Sequence, residues 1–331
     1  MKALIYTGAN TIHYRDEPAP EPRNDEVIVK IQAVGICGSD MHAYHGHDER
    51  RPPPLILGHE GAGIAISGRH AGQRVTINPL VTCGECPACI AGDTQICSTR
   101  QIISMPPRPG AFAEMTRVPE RNLVPVPDSL AIEKAALAEP MAVSYHAVQR
   151  GVRALPRPLS AARCVVMGGG AIGLCAALVL AMEGAAEILV AETNPLRHAT
   201  VERAGPFKIY VPGAAGVPAA SSIDFVLDAV GADGTRAEAC RLVKPGGVIV
   251  HVGLLPGSGG IDIRKITLQE VTLVGTYCYS MLDFRETVAA LASGRLGALD
   301  WLEERPLADG VRAFQDLDAG RTAAAKIVLR P

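Results

Sequence analysis

The stretch VVMGGGAIGLCAALVLA (165–181) decides the fold of the second half of the chain. It contains the pattern G-x-G-x-x-G as Gly168, Gly170 and Gly173, after a run typical of a buried strand and at the start of an apolar helix. In such a turn the first glycine makes the bend, the second lets a pyrophosphate approach, and the third packs the helix against the strand. The helix N-terminus then faces the phosphates. The sequence therefore predicts a dinucleotide-binding unit here.

Four further positions near this turn are candidate cofactor contacts. Ala171 and Ile172 begin the helix that would receive the phosphates. Glu192 ends the next strand, about 20 residues on, where a carboxylate accepts hydrogen bonds from ribose hydroxyls and repels a 2′-phosphate. Arg197 is close enough in sequence to bind a 2′-phosphate, although a solvated helix position is the simpler interpretation. The pattern favours NAD over NADP.

Length and charge exclude several classes of protein. The chain has 331 residues, which indicates two domains. Its formal net charge of −2 leaves no excess of positive charge for phosphates, which argues against nucleic-acid binding. No apolar signal segment follows Met1, and glycines interrupt the one long uncharged stretch, 164–182. We therefore expect a cytoplasmic protein without a membrane span.

The order of elements predicts an α/β fold. Strands alternate with helices in the second half of the chain, as in a doubly wound parallel sheet. The first 130 residues are rich in Pro and Gly with short β-type runs, which predicts a mostly β domain. Two helices, 131–138 and 141–149, are predicted on either side of Pro140, followed by a linker over 151–163. A last strand, 324–329, is predicted to return to the first domain.

Four of the nine cysteines form one compact group with the spacing C-x2-C-x2-C-x7-C. They are Cys83, Cys86, Cys89 and Cys97. Four thiolates complete a tetrahedral Zn2+ shell with no open position, which is typical of a structural site. Redox-active thiols and an iron–sulfur cluster are the alternatives, and a compact quartet in one loop favours zinc.

A second, mixed group of metal-type ligands is spread over three short motifs. Cys37 lies in GICGSD (35–40), His59 and Glu60 in GHE (58–60), and Glu139 in AEP (138–140). Sulfur, imidazole and carboxylate together suit Zn2+ with an exchangeable position. The spacing alone is weak, because a lone Cys or His is more often a packing residue.

Taken in order, these motifs resemble the zinc-dependent medium-chain alcohol dehydrogenases. GICGSDMH, LGHE, AEPMAVSYHA and the cysteine quartet are most similar to the sorbitol, or polyol, dehydrogenase branch. The resemblance implies a GroES-like, mostly β catalytic domain over 1–150 and 292–331, and a Rossmann NAD-binding domain over 151–291. It also implies two zinc ions per chain and a homo-oligomer, either a dimer or a tetramer.

The resemblance also implies roles for single residues. Cys37 and His59 would bind the catalytic zinc, with Glu60 as a ligand or beside the metal, and Glu139 bound directly or through water. Ser39 would take the substrate proton, and His42 would pass it on by way of the nicotinamide ribose. The residues near the nicotinamide would be Val252, Gly253 and Tyr277, and Lys326 would contact the pyrophosphate.

The function implied is oxidation of a secondary alcohol or sugar alcohol to the ketone, with hydride transfer to NAD. L-threonine, a vicinal diol or a sugar-alcohol phosphate are alternative substrates, and a non-catalytic nucleotide-binding protein is the alternative of another class. The polar loop AYHGHDERR (43–51) could hydrogen-bond a polyol or hold a phosphate, whereas Arg50 and Arg51 are more simply solvated surface residues. Cys278 stands where the sorbitol dehydrogenases have an arginine, which leaves the polyol contacts there open.

Overall fold

The computed structural model describes residues 1–331. Its strands are β1 (Lys2–Gly8), β2 (Thr11–Asp16), β3 (Glu26–Gly35), β4 (Leu55–Ile56), β5 (Glu60–Ala65), β6 (Arg74–Ile77), β7 (Leu80–Val81), β8 (Gln101–Ile102), β9 (Met115–Pro119), β10 (Leu123–Pro125), β11 (Arg163–Met167), β12 (Glu187–Ala191), β13 (Lys208–Tyr210), β14 (Ile223–Asp228), β15 (Val243–His251), β16 (Thr272–Gly275), β17 (Leu302–Pro306) and β18 (Lys326–Arg330). Its α-helices are α1 (Gly38–Tyr44), α2 (Pro87–Ile90), α3 (Ile132–Ala135), α4 (Ala138–Ala154), α5 (Ala171–Met182), α6 (Pro195–Ala204), α7 (Asp233–Leu242), α8 (Ile263–Leu268), α9 (Met281–Ala292) and α10 (Gly310–Asp318). None of these helices has both the length and the apolar character needed to cross a membrane.

Two compact units divide the chain between them. The first unit comprises Met1–Glu139, Ser280–Gly294 and Leu302–Pro331, and the second comprises Pro140–Tyr279 and Arg295–Trp301. The domain limits drawn from the sequence remain a prediction.

The first unit is built on a mixed sheet with the order β10-β6-β5-β3-β18-β17, in which β9 also pairs with β3. Alternating apolar residues of β3, such as Val29 and Ile31, are almost fully buried in a core that includes Phe112 and Phe314. β-Branched and aromatic residues favour this pleated, buried surface. The final strand, β18, pairs antiparallel with β3. The predicted return of the chain end to the first domain is confirmed.

The second unit contains the predicted parallel sheet, with the order β13-β12-β11-β14-β15-β16. Every residue of β14 is buried, as expected for a strand covered on both faces by helices. The carboxyl ends of these strands meet at one edge, where ligands bind in such sheets. The short strand β13 was not predicted from the sequence.

The predicted break at Pro140 is wrong. One helix, α4, runs from Ala138 to Ala154, and Pro140 lies in its first turn. Backbone N–H groups in a first turn have no partner inside the helix, so proline costs little there. The predicted linker also begins later than expected, because α4 extends into it, and a short 3-10 turn, Leu159–Ala161, lies within it.

Candidate active site and metal centres

Cys37, His59 and Glu60 bring their ligand atoms within 4.8 Å of one another. Cys37 caps the N-terminus of α1, just after β3, while His59 immediately precedes β5 and Glu60 is its first residue. β3 and β5 pair antiparallel with Gly35 opposite Glu60. The register of these two strands therefore joins the GICGSD and GHE motifs at one point of the first unit.

Glycine at position 35 leaves the room that Glu60 occupies. A Cβ atom on Gly35 would lie 2.0 Å from Oε2 of Glu60, so any other residue there would force the Glu60 side chain to move. Gly35, two residues before Cys37, thus leaves room for the carboxylate of Glu60, a role that the motif alone did not show.

Asp40, which sequence analysis did not single out, organises both motifs. Its fully buried carboxylate accepts hydrogen bonds from the backbone N–H groups of Cys37 (3.0 Å) and Gly58 (3.2 Å). Its Oδ1 also lies 3.6 Å from Nδ1 of His59. Carboxylates that face one ring nitrogen in this way commonly orient a histidine whose other nitrogen binds a metal.

The electrostatics of this group favour a cation. Burial alone would lower the pKa of His59, yet the negative charges of Asp40 and Cys37 raise it well above its usual value. Burial would likewise raise the pKa of Asp40, but the charges of His59 and Arg51 keep it below its usual value. The site therefore attracts positive charge.

Lys326 holds Glu60 from the opposite side. Its Nζ donates to Oε1 of Glu60 (2.7 Å) and to the carbonyl oxygen of Ile36 (2.8 Å), and both charged side chains are almost completely buried. The structure thus places Lys326 against a carboxylate rather than free for a pyrophosphate. Only the return of β18 beside β3 brings it here, so no local motif could have revealed the pair.

The ligand set fits Zn2+. Oε2 of Glu60 is buried without a hydrogen-bond partner, beside a cysteine sulfur and an imidazole. Sulfur, nitrogen and oxygen donors that converge in one group suit zinc. Glu139, buried in the first turn of α4, is not a member of this group. Its role as a ligand remains a prediction.

Ser39 and His42 lie on α1, the short helix that Cys37 caps, and both are partly exposed. Burial lowers the pKa of His42, and the charges of His45 and His47 lower it further. The ring of His42 is therefore neutral at neutral pH and has a nitrogen able to accept a proton.

The four predicted cysteines of the second group also converge, in the loop between β7 and β8. Sγ of Cys83 lies 3.9 Å from Sγ of Cys89 and 3.6 Å from Sγ of Cys97. Zinc–sulfur bonds of ~2.3 Å in a tetrahedron place sulfur atoms roughly 3.8 Å apart. The four sulfur atoms lie within 4.8 Å of one another, so the arrangement fits a closed zinc site.

Backbone N–H groups favour the thiolate form of two of these cysteines. Hydrogen bonds from the backbone of Glu85 and Cys86 lower the pKa of Cys83, and one from the backbone of Cys83 contributes most to lowering the pKa of Cys97 to about 6. Burial instead raises the pKa of Cys89 to about 11, an effect that a bound cation would reverse.

The nucleotide turn has the geometry that its sequence predicts. A Cβ on Gly173 would lie 1.7 Å from the carbonyl oxygen of Gly168, so helix and turn pack closer than any side chain allows. Glu192 accepts hydrogen bonds from the N–H groups of Gly169 (2.8 Å) and Asn194 (2.6 Å), and Arg197 lies 3.9 Å from it. Glu192 thus holds the turn in place, a role that the sequence did not indicate.

The other predicted cofactor residues follow neighbouring strands of the same sheet. The N–H groups of Val252 and Gly253, just after β15, both donate to the carbonyl oxygen of Asp228 (3.0 Å each), at the end of β14. Tyr277 follows β16 and is partly exposed. These residues share the carboxyl edge of the sheet with Gly168 and Glu192, the edge where dinucleotides bind in such folds.

A mostly β unit with two groups of metal-type ligands, on one chain with a dinucleotide-type sheet, is the arrangement of a metal- and nucleotide-dependent oxidoreductase. Sequence profiles agree: the alcohol dehydrogenase GroES-like domain matches residues 23–128 and the zinc-binding dehydrogenase domain matches residues 171–293.

Known proteins resemble the chain over nearly its whole length. L-galactonate-5-dehydrogenase of Escherichia coli K12 is 32% identical over 311 residues, 90% of this chain and 89% of the relative. Sorbitol dehydrogenase of Bacillus subtilis is 32% identical over 312 residues, 89% of this chain and 86% of the relative. The solved structure of L-idonate 5-dehydrogenase from Escherichia coli has a TM-score of 0.87 at 26% identity, covering 100% of this chain and 98% of that chain.

The chain therefore belongs to the zinc-dependent medium-chain alcohol dehydrogenase family. The predicted fold class, a GroES-like domain with a Rossmann-type parallel sheet, is confirmed. The predicted enzyme class, a zinc-dependent dehydrogenase, is confirmed as well.

Proposed function

We propose that the protein oxidises a secondary hydroxyl group of a polyol or sugar acid to a ketone, with NAD+ as the hydride acceptor. The observation that carries this proposal is the Cys37–His59–Glu60 group, in which His59 and Glu60 are buried and one carboxylate oxygen has no partner. The group lies at the start of the helix that bears Ser39 and His42. Relatives named for L-galactonate, sorbitol and L-idonate support this substrate class, because all three molecules carry a chain of hydroxyl groups.

Each residue of this group has a part in the proposed reaction. Cys37, His59 and Glu60 hold the catalytic metal, with Glu139 as a further ligand, direct or through water. Bound zinc would supply a Lewis acid for the substrate hydroxyl, and bound NAD+ a hydride acceptor. Ser39 accepts the hydroxyl proton at Oγ and His42, neutral at neutral pH, takes the proton onward.

The cysteine quartet holds a second, structural zinc ion, so that each chain carries two. Closed four-thiolate sites leave no position for substrate, and zinc binding there contributes to folding instead.

NAD binds at the carboxyl edge of the parallel sheet. The turn and the helix start receive the pyrophosphate through Gly168, Gly170, Ala171, Ile172 and Gly173. Glu192 meets the adenosine ribose and disfavours a 2′-phosphate, with Arg197 beside it, and Val252, Gly253 and Tyr277 lie near the nicotinamide. We therefore expect NAD+ to be preferred to NADP+.

The protein works in the cytoplasm as a homo-oligomer, either a dimer or a tetramer. None of the nine cysteines is in a disulfide bond, as is usual in reducing compartments. β16 forms one end of the parallel sheet and Leu273 on it is 40% exposed, so this edge is open to another chain. Light scattering after gel filtration measures the oligomeric state, and a monomer would contradict this part of the proposal.

A substrate panel tests the proposed function. Turnover would be followed as NADH or NADPH formation with L-galactonate, L-idonate, sorbitol, L-threonine, a vicinal diol and a sugar-alcohol phosphate, with and without a chelator. We expect chelator-sensitive turnover of a sugar acid or polyol with NAD+. Turnover of another class alone would replace the substrate assignment. Silence with only one zinc ion per chain would favour a non-catalytic nucleotide-binding protein.

A further inference from the structure

Arg51 is buried beside the proposed proton acceptor. Its sequence context, HDERRPPP (47–54), suggests a solvated side chain, yet the side chain is only 2% exposed. Its guanidinium donates to the carbonyl oxygen of Ser39 at 3.3 Å and to Oγ of Ser39 at 3.4 Å. A permanent positive charge therefore lies against the Ser39 hydroxyl.

Two anchors fix the position of Arg51. Its NH1 group forms an ion pair with Oδ2 of Asp48 at 2.6 Å, and its Nε donates to the carbonyl oxygen of Ser104 at 3.2 Å. Burial would raise the pKa of Asp48, but the hydrogen bond from Arg50 and the charge of Arg51 keep it below its usual value. Ser104 is fully buried. These two contacts fix the orientation of the planar guanidinium group that contacts Ser39.

This contact restricts what the Ser39 hydroxyl can do. A serine hydroxyl has one proton to donate and two lone pairs that accept. When Arg51 occupies one lone pair, the other is left for the substrate proton, and the hydroxyl proton has fewer directions in which to point. The adjacent positive charge also favours the departure of the original Ser39 proton toward His42, because it stabilises the negative charge left on Oγ as that proton leaves.

We propose that Arg51, held by Asp48 and the Ser104 carbonyl, is a positioning residue that orients the Ser39 hydroxyl for proton transfer. This inference rests on the proposed function, in which Ser39 accepts the substrate proton. The substrate O–H bond breaks as its proton passes to Oγ of Ser39, and the original Ser39 proton leaves toward His42. The carbinol hydride passes to NAD+, so the products are ketone, NADH and one proton.

A double-mutant cycle tests the proposal in the zinc-loaded full-length enzyme. Arg51→Met should lower kcat roughly tenfold, the lower end of the effect of losing an orienting partner. The KM for NAD+ should not change, and the effect of D2O on kcat should grow as proton transfer becomes limiting. In a Ser39→Ala background, Arg51→Met should cause no further loss. Arg51→Lys should recover part of the activity, because an ammonium group still donates to Ser39.

Arg305→Met is the matched control. Arg305 is also largely buried and paired with two carboxylates, those of Glu303 and Asp316, both at 2.7 Å. Its loss should lower the thermal midpoint without changing kcat or the D2O effect. Zinc content and thermal midpoint are measured for every variant. If Arg51→Met does not fold, the cycle is repeated with Arg51→Lys and Ser39→Ala. Arg51→Lys should then lower kcat in the wild type but not in the Ser39→Ala background.

Two results would overturn the role of Arg51. If Arg51→Met lowers kcat by the same factor in the Ser39→Ala background as in the wild type, Arg51 does not act through Ser39. If a folded Arg51→Met enzyme keeps the wild-type kcat, Arg51 has no part in the reaction. Absence of turnover with every substrate, or full activity of Ser39→Ala, would instead overturn the proposed function together with this inference.

Discussion

Two groups of metal-type ligands in this protein are built in opposite ways. The cysteine quartet lies within one loop, and its four sulfur atoms meet because short spacings let the backbone wrap around them. The Cys37–His59–Glu60 group draws on β3, β5 and β18, with Asp40 and Lys326 as supports. Under the proposed function the first group depends on a bound metal for its stability, whereas the second depends on the register of a whole sheet. Substitutions in the two groups should therefore fail in different ways.

The largest effect is expected from Cys37→Ser. Loss of this ligand removes the Lewis acid, which contributes several kcal/mol. At ~1.4 kcal/mol per factor of ten, turnover should fall roughly a thousandfold while the fold survives. NADH formation and zinc content measure the change. Cys240→Ala, at a buried thiol outside both groups, is the control and should keep two zinc ions and its turnover. Unchanged turnover in Cys37→Ser would contradict the assignment.

Cys97→Ser should instead act on stability. This fully buried thiol completes the quartet, and loss of a metal site is among the causes of destabilisation by about 4 kcal/mol. The thermal midpoint should fall by roughly 10 °C, and proteases should cut the loop between β7 and β8. Turnover per remaining zinc ion should fall far less than in Cys37→Ser. An equal loss of turnover would mean that the two groups are not independent.

Lys326→Met sharpens the comparison, because it removes a support of the Cys37–His59–Glu60 group without removing a metal ligand. An unpaired buried carboxylate at Glu60 should cost about 3–5 kcal/mol. Urea unfolding should show this loss, and the loss should be larger after chelation, since a bound cation also neutralises Glu60. Lys326→Arg keeps the charge and serves as the control. An unchanged unfolding midpoint in Lys326→Met would show that the pair does not support the group.

The smallest effect is expected at Glu187, where a long-range charge pair lies nearer the surface. Lys208 and Arg163 donate to its carboxylate at 2.7 and 2.5 Å. The hydrogen bond from Lys208 contributes most to lowering the pKa of Glu187 below 4.5. The pair should therefore stabilise the folded protein above about pH 4.5, and this contribution should disappear as the pH falls through the lowered pKa.

The size of this contribution is at most about 1 kcal/mol for so exposed a pair. As the pH is lowered from 7 to 3, the free energy of unfolding should fall more steeply in the wild type than in Glu187→Gln. Parallel curves would show that the ion pair contributes nothing to stability.

What could be predicted from the sequence follows the same division between local and long-range structure. The quartet, the nucleotide turn and the parallel sheet depend on local spacing and periodicity, and all of them appear as predicted. The predicted break at Pro140 is wrong because a proline in a first helical turn looks, in sequence, like a helix break.

The contacts of Arg51 and Lys326 were not predicted. Arg51 lies between charged residues and prolines, a context typical of a surface loop, yet it donates hydrogen bonds to the carbonyl oxygens of Ser39 and Ser104. Lys326 stands in an apolar strand, and nothing near it in sequence names Glu60 as its partner. Contacts of this kind depend on strand register, which a local pattern does not record.

The separation of Lys326 from Glu60 along the chain, 266 residues, has a consequence for biosynthesis. Translation delivers Cys37 and Glu60 long before Lys326, the lysine that neutralises Glu60 in the structure. Until then the carboxylate has no partner and the central sheet lacks β18 between β3 and β17. A polypeptide truncated before β18 would therefore carry an unfinished first unit, and we expect it to contribute no activity.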